Sequence, residues 1–399
     1  MSKEQEVVIV SACRTAIGGF MGGLSTTPAP QLGGLVIREA IRRAGIDATS
    51  VDEVLMGCVV PNGMGQAPAR QAAIYGGVPP EVGALALNKV CGSGLKTVML
   101  AAGLIRAGDG AVYVAGGMEN MSLVPYMLPK ARGGYRLGNG QLVDGVIHDG
   151  LWSTFTGKHM GNSAEFIARQ YDLTREELDE YAHNSHRKAI EAIDGGRFQA
   201  EIVPVEVGQR KGPPLVIDTD ESPRRDTSLE ALAKLRPPFQ KDGIVTAGNS
   251  PGITDGAAAV VVMSRLRAEE LGIKPLARII GYDQAAVEPQ WLFIAPAGAV
   301  RRLLKRIGMT LADVDLIELN EAFAAQVLAD GRELEKDGWD WSKVNVNGGA
   351  IALGHPIGCS GTRVLVTLLH ALKDRGQRRG IASLCLGGGE AVALAVELM

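Results

Sequence analysis

The segment Ser93-Gly94-Leu95-Lys96 has a close counterpart, Ser360-Gly361-Thr362-Arg363, 267 residues later in the chain. Each segment is followed by an apolar stretch with a helical pattern, and then by a strand-like stretch that runs into glycines. Those glycines are Gly116-Gly117 in one case and Gly387-Gly388-Gly389 in the other. Because the order of the elements repeats, the sequence predicts that the second half of the chain duplicates the fold of the first.

A second pair of segments supports the duplication. Arg42-Arg43-Ala44-Gly45 before Val51-Asp52 resembles Lys305-Arg306-Ile307-Gly308 before Val314-Asp315, at an offset of 263 residues. The alternative explanation is that all units of strand and helix look alike, but the nearly constant offset favours duplication. Two similar halves usually meet at a pseudo-twofold axis, and a pocket between them is a natural ligand site.

Strand-like and helix-like segments alternate at both ends of the chain, which predicts α/β layers with helices on the faces of a sheet. Val7–Val10 reads as a strand, and Gln31–Ala44 as a helix that ends at Gly45. Thr97–Ile105 is apolar on all sides, so we expect a buried helix there.

A region of different composition, residues 122–252, separates the halves. It is rich in Pro and Gly and contains one clear helix, Thr174–Ala192, which opens with a capping box formed by Thr174 and Glu177. A long inserted loop region in an α/β enzyme usually shapes or covers the binding site.

The composition excludes several classes of protein. The 399 residues, 46% hydrophobic and 21% charged, are typical of a globular chain of two or three units. A net charge of −3 makes nucleic acid a poor partner. No apolar run reaches the ~20 residues of a membrane span. Glu4 and Glu6 argue against a signal or transit peptide, so we expect a cytoplasmic protein.

Five Cys residues are scattered along the chain without a C-x-x-C pair, so neither a metal site nor a disulfide framework is expected. Cys91, in the segment 88–94 directly before the buried helix, is the first candidate for chemistry. The positive end of the helix dipole is expected to lower the pKa of its thiol and favour the thiolate. A buried, inert thiol is the alternative.

Three further residues could carry chemistry. His355 lies in the Gly-rich segment 347–358 and can accept a proton near neutral pH, the alternative being an exposed turn. Cys385 precedes Gly387–Gly389, where free N–H groups can form an oxyanion hole, the alternative being a core thiol. Asn320 stands where a strand turns into a helix, so its amide could bind water or a carbonyl group, or cap the helix.

The motifs around Cys91, His355, Cys385 and Asn320 together resemble the thiolase family, and the similarity runs from Arg14 to the last Gly-rich strand. The similarity is greatest to members of the family of the short-chain, biosynthetic type. The resemblance implies a five-layered α-β-α-β-α core of two duplicated halves with an inserted loop domain. The implied boundaries are residues 1–121 and 253–275 for the first half, 122–252 for the loop domain that binds coenzyme A and supports oligomerisation, and 276–399 for the second half.

The resemblance also implies a role for each candidate. Cys91 matches the nucleophile that accepts the acyl group, His355 the base that activates it, and Cys385 a second acid/base. Asn320 matches an amide that orients a water, and the N–H groups of Cys91 and Gly387 match an oxyanion hole. The implied reaction is the reversible condensation of two acetyl-CoA through an acetyl-Cys91 intermediate. Coenzyme A is then a substrate, no cofactor is needed, and a homotetramer is the expected assembly.

Contacts to the acyl group and to coenzyme A follow from the same resemblance. His159 and Met160 match a pair that lines a tight acyl pocket, the alternative being an exposed loop. Pro251 departs from the family, because many relatives have Ser there; Pro offers neither a hydroxyl nor an N–H group, so Ser250 must supply that hydrogen bond or it is lost. Ala231 likewise replaces a Ser near the adenine. The other expected contacts are Leu151, Arg224, Leu235, Phe239, Ala247 and Phe323.

Several alternatives remain. A 3-ketoacyl-CoA thiolase of β-oxidation would accept longer chains. A non-catalytic, thiolase-like lipid-binding protein would lack Cys91, His355 or Cys385, yet all three are present. Hydroxymethylglutaryl-type condensing enzymes do not use a second Cys, which argues against them. A nicotinamide enzyme is weakly supported, because no G-x-G-x-x-G opens a helix after the first strand.

Overall fold

The computed structural model describes residues 6–399. Glu4, one of the two acids on which the expectation about targeting peptides depends, lies outside the described residues. The α-helices are α1 (Ala29–Ala44), α2 (Pro68–Tyr75), α3 (Ser93–Ala107), α4 (Met160–Gln170), α5 (Arg175–Asp194), α6 (Leu229–Ala233), α7 (Arg265–Glu270), α8 (Ala295–Ile307), α9 (Ala324–Leu334), α10 (Ala350–Leu353) and α11 (Ile357–Asp374).

Short pairs of strands in the loop region interrupt the series of strands that form the main sheet. The strands are β1 (Val7–Thr15), β2 (Gly18–Gly19), β3 (Glu53–Gly57), β4 (Gly83–Leu87), β5 (Val112–Asn120), β6 (Tyr126–Met127), β7 (Val143–Asp144), β8 (Trp152–Ser153), β9 (Lys158–His159), β10 (Ile202–Val203), β11 (Val205–Val207), β12 (Leu215–Ile217), β13 (Thr254–Ser264), β14 (Ala277–Ala286), β15 (Leu316–Leu319), β16 (Arg379–Leu386) and β17 (Glu390–Leu398).

The main sheet follows the order β15-β16-β17-β14-β1-β13-β5-β3-β4. Each half has the same internal order, because β14-β17-β16-β15 matches β1-β13-β5-β3. In both halves the last two strands of this order are parallel and the other neighbours antiparallel. The halves join where β1 pairs antiparallel with β14. The duplication predicted from the sequence is therefore confirmed by the topology.

The repeated segments make equivalent contacts in the two halves. Oδ2 of Asp52 accepts hydrogen bonds from the N–H groups of Ala111-Val112 at 2.6 and 2.8 Å. Oδ2 of Asp315 accepts from the N–H groups of Arg378-Arg379 at 2.9 and 2.8 Å. In each half, the carboxylate ties the start of one strand to the start of its neighbour.

The helices form three layers around the strands. α3 and α11 pack against each other between the strands of the two halves, α1 covers the outer face of the first half, and α8 covers the outer face of the second. Along β13, Val260 and Val262 face the central layer, whereas Val261 and Met263 face α1. A strand buried on both faces needs apolar residues throughout, as this one has. The arrangement is the expected five-layered core.

The central helices touch at their N-terminal ends through glycines. A Cβ atom added at Gly94 would lie 2.7 Å from the nitrogen of Thr362, and one added at Gly361 would lie 2.2 Å from the nitrogen of Leu95. Such distances leave no room for a side chain. Val90–Ala107, which includes α3, is long and apolar enough to cross a membrane by length and composition alone, but α3 lies in this central layer.

The local predictions agree with the structure in most places. α1 ends at Gly45, which has φ 68°. α5 begins after Thr174, and both hydrogen bonds of the capping box with Glu177 are present. The alternative that Asn320 caps a helix is wrong, because α9 begins at Ala324 with Phe323 as the capping residue. The polypeptide turns for three further residues after Asn320 before the helix starts.

The loop region is tied to the first half by buried ion pairs. Nε of Arg14 in β1 lies 2.6 Å from Oε1 of Glu201, and its Nη1 lies 2.7 Å from Oδ1 of Asp220. All three side chains are buried. Loss of one partner would leave an uncompensated buried charge, so this triad fixes the loop region against the sheet.

Candidate active site

A cavity of about 390 Å³ lies where the two halves and the loop region meet. We call it the acyl cavity. Its wall includes most of the residues that the sequence singled out: Cys91, Leu151, His159, Met160, Arg224, Phe239, Ala247, Ser250, Phe323, His355, Cys385 and Gly387. Leu235 instead lines a neighbouring outer pocket. Asn320 is absent from both walls and is buried one residue beyond β15.

Cys91 stands just before α3 in a strained turn. The preceding residue, Val90, has φ 47°, a left-handed conformation that is unfavourable for a β-branched side chain. Such strain costs about 1–3 kcal/mol and is found preferentially at functional sites. It orients Cys91 so that its thiol faces the cavity and lies within hydrogen-bonding reach of the N–H group of Gly387 and of its own N–H group.

The expected low pKa of Cys91 is wrong. Burial raises the pKa of this thiol to about 11, although hydrogen bonds from the N–H groups of Gly387 and Cys91 oppose the rise. Desolvation outweighs the hydrogen bonds because the surrounding wall is mostly apolar. The thiol is therefore the resting form, and the reactive thiolate has to be generated by a base.

His355 can act as such a base, and its hydrogen bonds define the tautomer. Nδ1 lies 2.6 Å from Oγ of Ser360, and that hydroxyl donates to the carbonyl oxygen of Pro356 at 2.9 Å. Since the hydroxyl proton is used, Nδ1 must carry a proton and donate it to Oγ. Nε2 is then the basic atom, and it has no hydrogen-bond partner among residues 6–399. Burial and the nearby Arg363 lower the pKa of His355 to about 3, so the ring is neutral.

Cys385 and Asn320 lie at the ends of neighbouring strands, β16 and β15. Burial and the proximity of Cys91 raise the pKa of Cys385 well above its ordinary value. The amide of Asn320 is 0% exposed, yet neither Nδ2 nor Oδ1 has a partner in the described part of the chain. Buried amides are almost always hydrogen-bonded, so both atoms are available to a bound molecule.

One wall of the acyl cavity is an aromatic stack. The rings of His159 and Phe239 lie 4.9 Å apart at an angle of 18°. A Cβ atom at Gly161 would approach the Phe239 ring to 2.4 Å, so glycine is required for this stack. Nδ1 of His159 accepts a hydrogen bond from the N–H group of Gly161 at 3.0 Å. The other nitrogen, Nε2, is therefore the donor.

Several wall residues were missed by the sequence analysis. Leu292 and Phe293 belong to a short 3-10 segment, Pro289–Ile294, and Met121 and Ile357 line the cavity from the two halves. All four are apolar, so the sequence pattern does not distinguish them from ordinary core residues.

The outer pocket, of about 650 Å³, adjoins the acyl cavity and shares with it Arg224, Ala247 and Ser250. Arg225 is paired with Asp194 at 2.6 Å, whereas no ion pair is found for Arg224 among the described residues. The hydroxyl of Ser250 donates to the carbonyl oxygen of Thr246 at 2.7 Å and so can only accept from a ligand.

Two residues at which the sequence departs from the family also line these cavities. Pro251 lies in the wall of the acyl cavity, and Ala231 in that of the outer pocket. His186, which was missed, lines the outer pocket as well. Its Nδ1 accepts from the N–H group of Arg224 at 3.1 Å, so its Nε2 is the donor of the neutral ring.

Family models match almost the whole chain. The thiolase N-terminal domain matches residues 7–266, and the thiolase C-terminal domain matches residues 273–398. The chain belongs to the thiolase family. This thiolase is 58% identical to an acetyl-CoA acetyltransferase of Pseudomonas aeruginosa, with 98% of each chain covered. It is 55% identical to the acetyl-CoA acetyltransferase of Cupriavidus necator, with 98% of this chain and 99% of the relative covered.

Solved structures show the same fold. The thiolase superposes on the crystal structure of the Bacillus anthracis acetyl-CoA acetyltransferase with a TM-score of 0.96, 45% identity and 99% coverage of both chains. Within residues 6–399, the thiolase has no group of three or more His, Cys, Asp or Glu side chains that could hold a metal ion.

Proposed function

We propose that this protein is an acetyl-CoA C-acetyltransferase that reversibly condenses two acetyl-CoA to acetoacetyl-CoA and CoA. The main observation in support of this activity is that one cavity contains two thiols, Cys91 and Cys385, together with the unpartnered Nε2 of His355 and the N–H group of Gly387. The names of the relatives from Pseudomonas aeruginosa and Cupriavidus necator support the same activity.

The first step acetylates Cys91. His355 Nε2 takes the thiol proton while the sulfur attacks the carbonyl carbon of acetyl-CoA. The oxygen that becomes negative is held by the N–H groups of Cys91 and Gly387, and one such donor is typically worth about 10²–10³ in rate. The carbonyl re-forms, the bond to the CoA sulfur breaks, and Cys385 gives its proton to that sulfur. An acetyl-thioester on Cys91, an imidazolium and a Cys385 thiolate remain.

The second step forms the carbon–carbon bond. The Cys385 thiolate removes a proton from the methyl group of a second acetyl-CoA. The resulting enolate oxygen is stabilised by the imidazolium of His355 and by a water bound to Asn320, whose unpartnered amide supports this role. The enolate carbon attacks the carbonyl carbon of the acetyl group on Cys91. The Cys91 sulfur then leaves and recovers its proton from the imidazolium of His355. All groups return to their initial protonation states, and acetoacetyl-CoA is released.

Coenzyme A is proposed to thread from the outer pocket into the acyl cavity. The adenine nucleotide would occupy the outer pocket near Arg224, whose side chain is free to meet a phosphate group. The pantetheine arm would pass Ala247 and Phe323 and reach Cys91. Since Pro251 supplies no donor and the Ser250 hydroxyl can only accept, a hydrogen bond to the arm at this point has to be donated by an N–H or O–H group of the arm itself.

The substrate is proposed to be short, because the stack of His159 on Phe239 and the side chain of Met160 close the cavity beside Cys91. Thiolysis by the purified protein tests both activity and chain length, with acetoacetyl-CoA, 3-ketohexanoyl-CoA and 3-ketodecanoyl-CoA compared at fixed CoA. Strong preference for acetoacetyl-CoA is expected. Equal rates on the longer chains would identify a thiolase of β-oxidation with broad chain-length specificity. The absence of thiolysis on all three substrates would refute the function.

A homotetramer in the cytoplasm is the proposed state of the protein. The hairpin of β6 and β7 presents exposed apolar side chains, including Tyr126, Leu142 and the 100% exposed Leu137. The edge strand β4 exposes Leu85 as well. Apolar patches of this kind are typical of subunit interfaces.

A further inference from the structure

The loop that carries His355 is held from both sides by buried carboxylates outside the acyl cavity. Glu321 follows Asn320 directly and is 1% exposed. Its Oε2 accepts a hydrogen bond from the N–H group of Ile351, four residues before His355, at 3.0 Å. It also accepts from Oγ of Ser185 in α5 at 2.7 Å.

The remaining contacts of Glu321 fill its hydrogen-bonding capacity. Oε1 accepts from the hydroxyl of Tyr181 at 2.9 Å and from Nδ2 of Asn345 at 3.1 Å. A Cβ atom at Gly349 would come within 2.3 Å of the carboxylate carbon, so glycine at 349 leaves the space that the carboxylate occupies. Glu321, which follows Asn320 directly, therefore connects the segment of Asn320 to the start of the His355 loop and to helix α5.

Glu119 holds the other end of the same loop. It is 0% exposed and lies near the end of β5 in the first half. Its Oε2 accepts from the N–H group of Gly358, three residues after His355, at 2.8 Å. The same carboxylate accepts from the N–H groups of Val59 and Val60 at 3.0 and 3.2 Å. Val59 and Val60 pack in a cluster against Cys91.

We propose that Glu321 and Glu119 are a pair of positioning residues that fix Nε2 of His355 relative to Asn320 and Cys91. Glu321 sets the separation of the imidazole from the Asn320 amide, and Glu119 sets its separation from the thiol. The inference rests on the proposed function only in assigning His355 as the base. Neither carboxylate touches the cavity, so both act through the backbone of residues 351–358.

Isosteric amides test this role. In Glu321→Gln or Glu119→Gln one acceptor oxygen becomes an NH₂ group that faces at least one N–H donor, so the contacts that hold the loop at that end are weakened. A misplacement of about 1 Å can cost about 10²-fold in rate. We expect kcat for thiolysis of acetoacetyl-CoA to fall about 10- to 100-fold with KM nearly unchanged. Asp283→Asn is the matched control, because Asp283 is a buried, ion-paired carboxylate on the outer side of the second half; it should keep wild-type kcat.

The two carboxylates act on one loop, so their effects should not be independent. In Glu119→Gln/Glu321→Gln, the loss of kcat should be smaller than the product of the two single losses. A loss equal to that product would mean that they hold separate elements and would overturn the proposal. Wild-type kcat in both folded single variants, or a raised KM with kcat unchanged, would also overturn it.

A second readout does not depend on the substrate. The rate at which iodoacetamide alkylates Cys91 at pH 7 should fall in both variants, because a displaced imidazole no longer receives the thiol proton. If the wild-type protein fails in thiolysis, the proposed function falls while this comparison still decides the positioning role. If the Gln variants do not fold, Tyr181→Phe removes one donor to Glu321 without loss of core volume. Slower alkylation in Tyr181→Phe supports the proposal, and an unchanged rate overturns it.

Discussion

Nδ1 of His355 lies 2.6 Å from Oγ of Ser360, one turn into the helix that follows the histidine. Because this hydroxyl donates to the carbonyl oxygen of Pro356, it fixes both the orientation and the tautomer of the imidazole.

Ser360→Ala should therefore lower kcat for thiolysis about 10- to 100-fold while KM changes little, since binding groups remain in place. Steady-state kinetics with acetoacetyl-CoA measures this. Ser11→Ala is the matched control, because Ser11 is a buried serine whose hydroxyl donates to Ala40 far from the site. A Ser360→Ala enzyme with wild-type kcat would mean that the hydrogen bond has no catalytic effect.

The two cavity thiols should separate the half-reactions. Cys91→Ala should abolish thiolysis and also the exchange of labelled CoA into acetyl-CoA, because no acetyl-enzyme forms. Cys385→Ala should still form acetyl-Cys91, detectable by mass spectrometry, but more slowly because no thiol protonates the departing CoA sulfur, and it should not condense two acetyl-CoA. Cys13→Ala, at a core position, should behave as wild type in both assays. Condensation at the wild-type rate by Cys385→Ala would refute its role as the acid/base.

The pKa of Cys91 predicts the pH dependence of its alkylation. Since burial raises this pKa to about 11, the thiolate fraction grows as the pH rises and stays small below pH 9. In His355→Ala, where the thiol proton can pass only to solvent, the rate of iodoacetamide labelling should climb about tenfold per pH unit from pH 7 to 10 without levelling off. A plateau near pH 7 would indicate that the helix dipole and hydrogen bonds prevail over desolvation.

Cys91 should nevertheless be labelled first among the five thiols. Burial raises the pKa of Cys13 and Cys359 to about 12 and also raises the pKa of Cys58 and Cys385 well above the ordinary value, and all four are buried. Peptide mapping after brief exposure gives the order of labelling, and earlier modification of Cys58 would contradict it.

Chain-length preference should depend on the stack at His159. His159→Ala removes the ring that supports Phe239 and opens space beside Cys91, so the rate on 3-ketohexanoyl-CoA relative to acetoacetyl-CoA should rise. His148→Ala is the control, because His148 is exposed and paired with Asp149 outside the cavity. An unchanged ratio in His159→Ala would assign chain selection to other wall residues.

Assembly should depend on the hairpin of β6 and β7. Leu137→Asp and Leu142→Asp place charge on side chains that are exposed in the single chain, so the chain should still fold. Light scattering after size exclusion should then report a smaller oligomer than wild type. A wild-type mass for both variants would show that the hairpin is not in the interface.

The sequence predicted those parts of the site that have distinctive residue types. The duplicated halves, the Gly-rich turns and the residues Cys91, His355 and Cys385 are visible as patterns. The left-handed conformation of Val90 is not visible in the sequence, because a β-branched residue gives no signal for positive φ. The sign of the pKa shift at Cys91 was also wrong, since a sequence shows the helix that supplies a dipole but not the burial that opposes it.

The contact between α3 and α11 limits how such proteins can recombine. The proposed nucleophile, Cys91, comes from one half, and the proposed base and second thiol, His355 and Cys385, come from the other. Exchanging the segment after residue 266 with that of a relative would therefore combine site residues from two proteins in one chimera. Such a hybrid can assemble only if the donor keeps glycine opposite Leu95, where a methyl group would lie 2.2 Å from backbone nitrogen. Interchangeability of the halves thus depends on glycines that face each other across this contact, Gly94 and Gly361 among them, whatever the similarity of the surfaces.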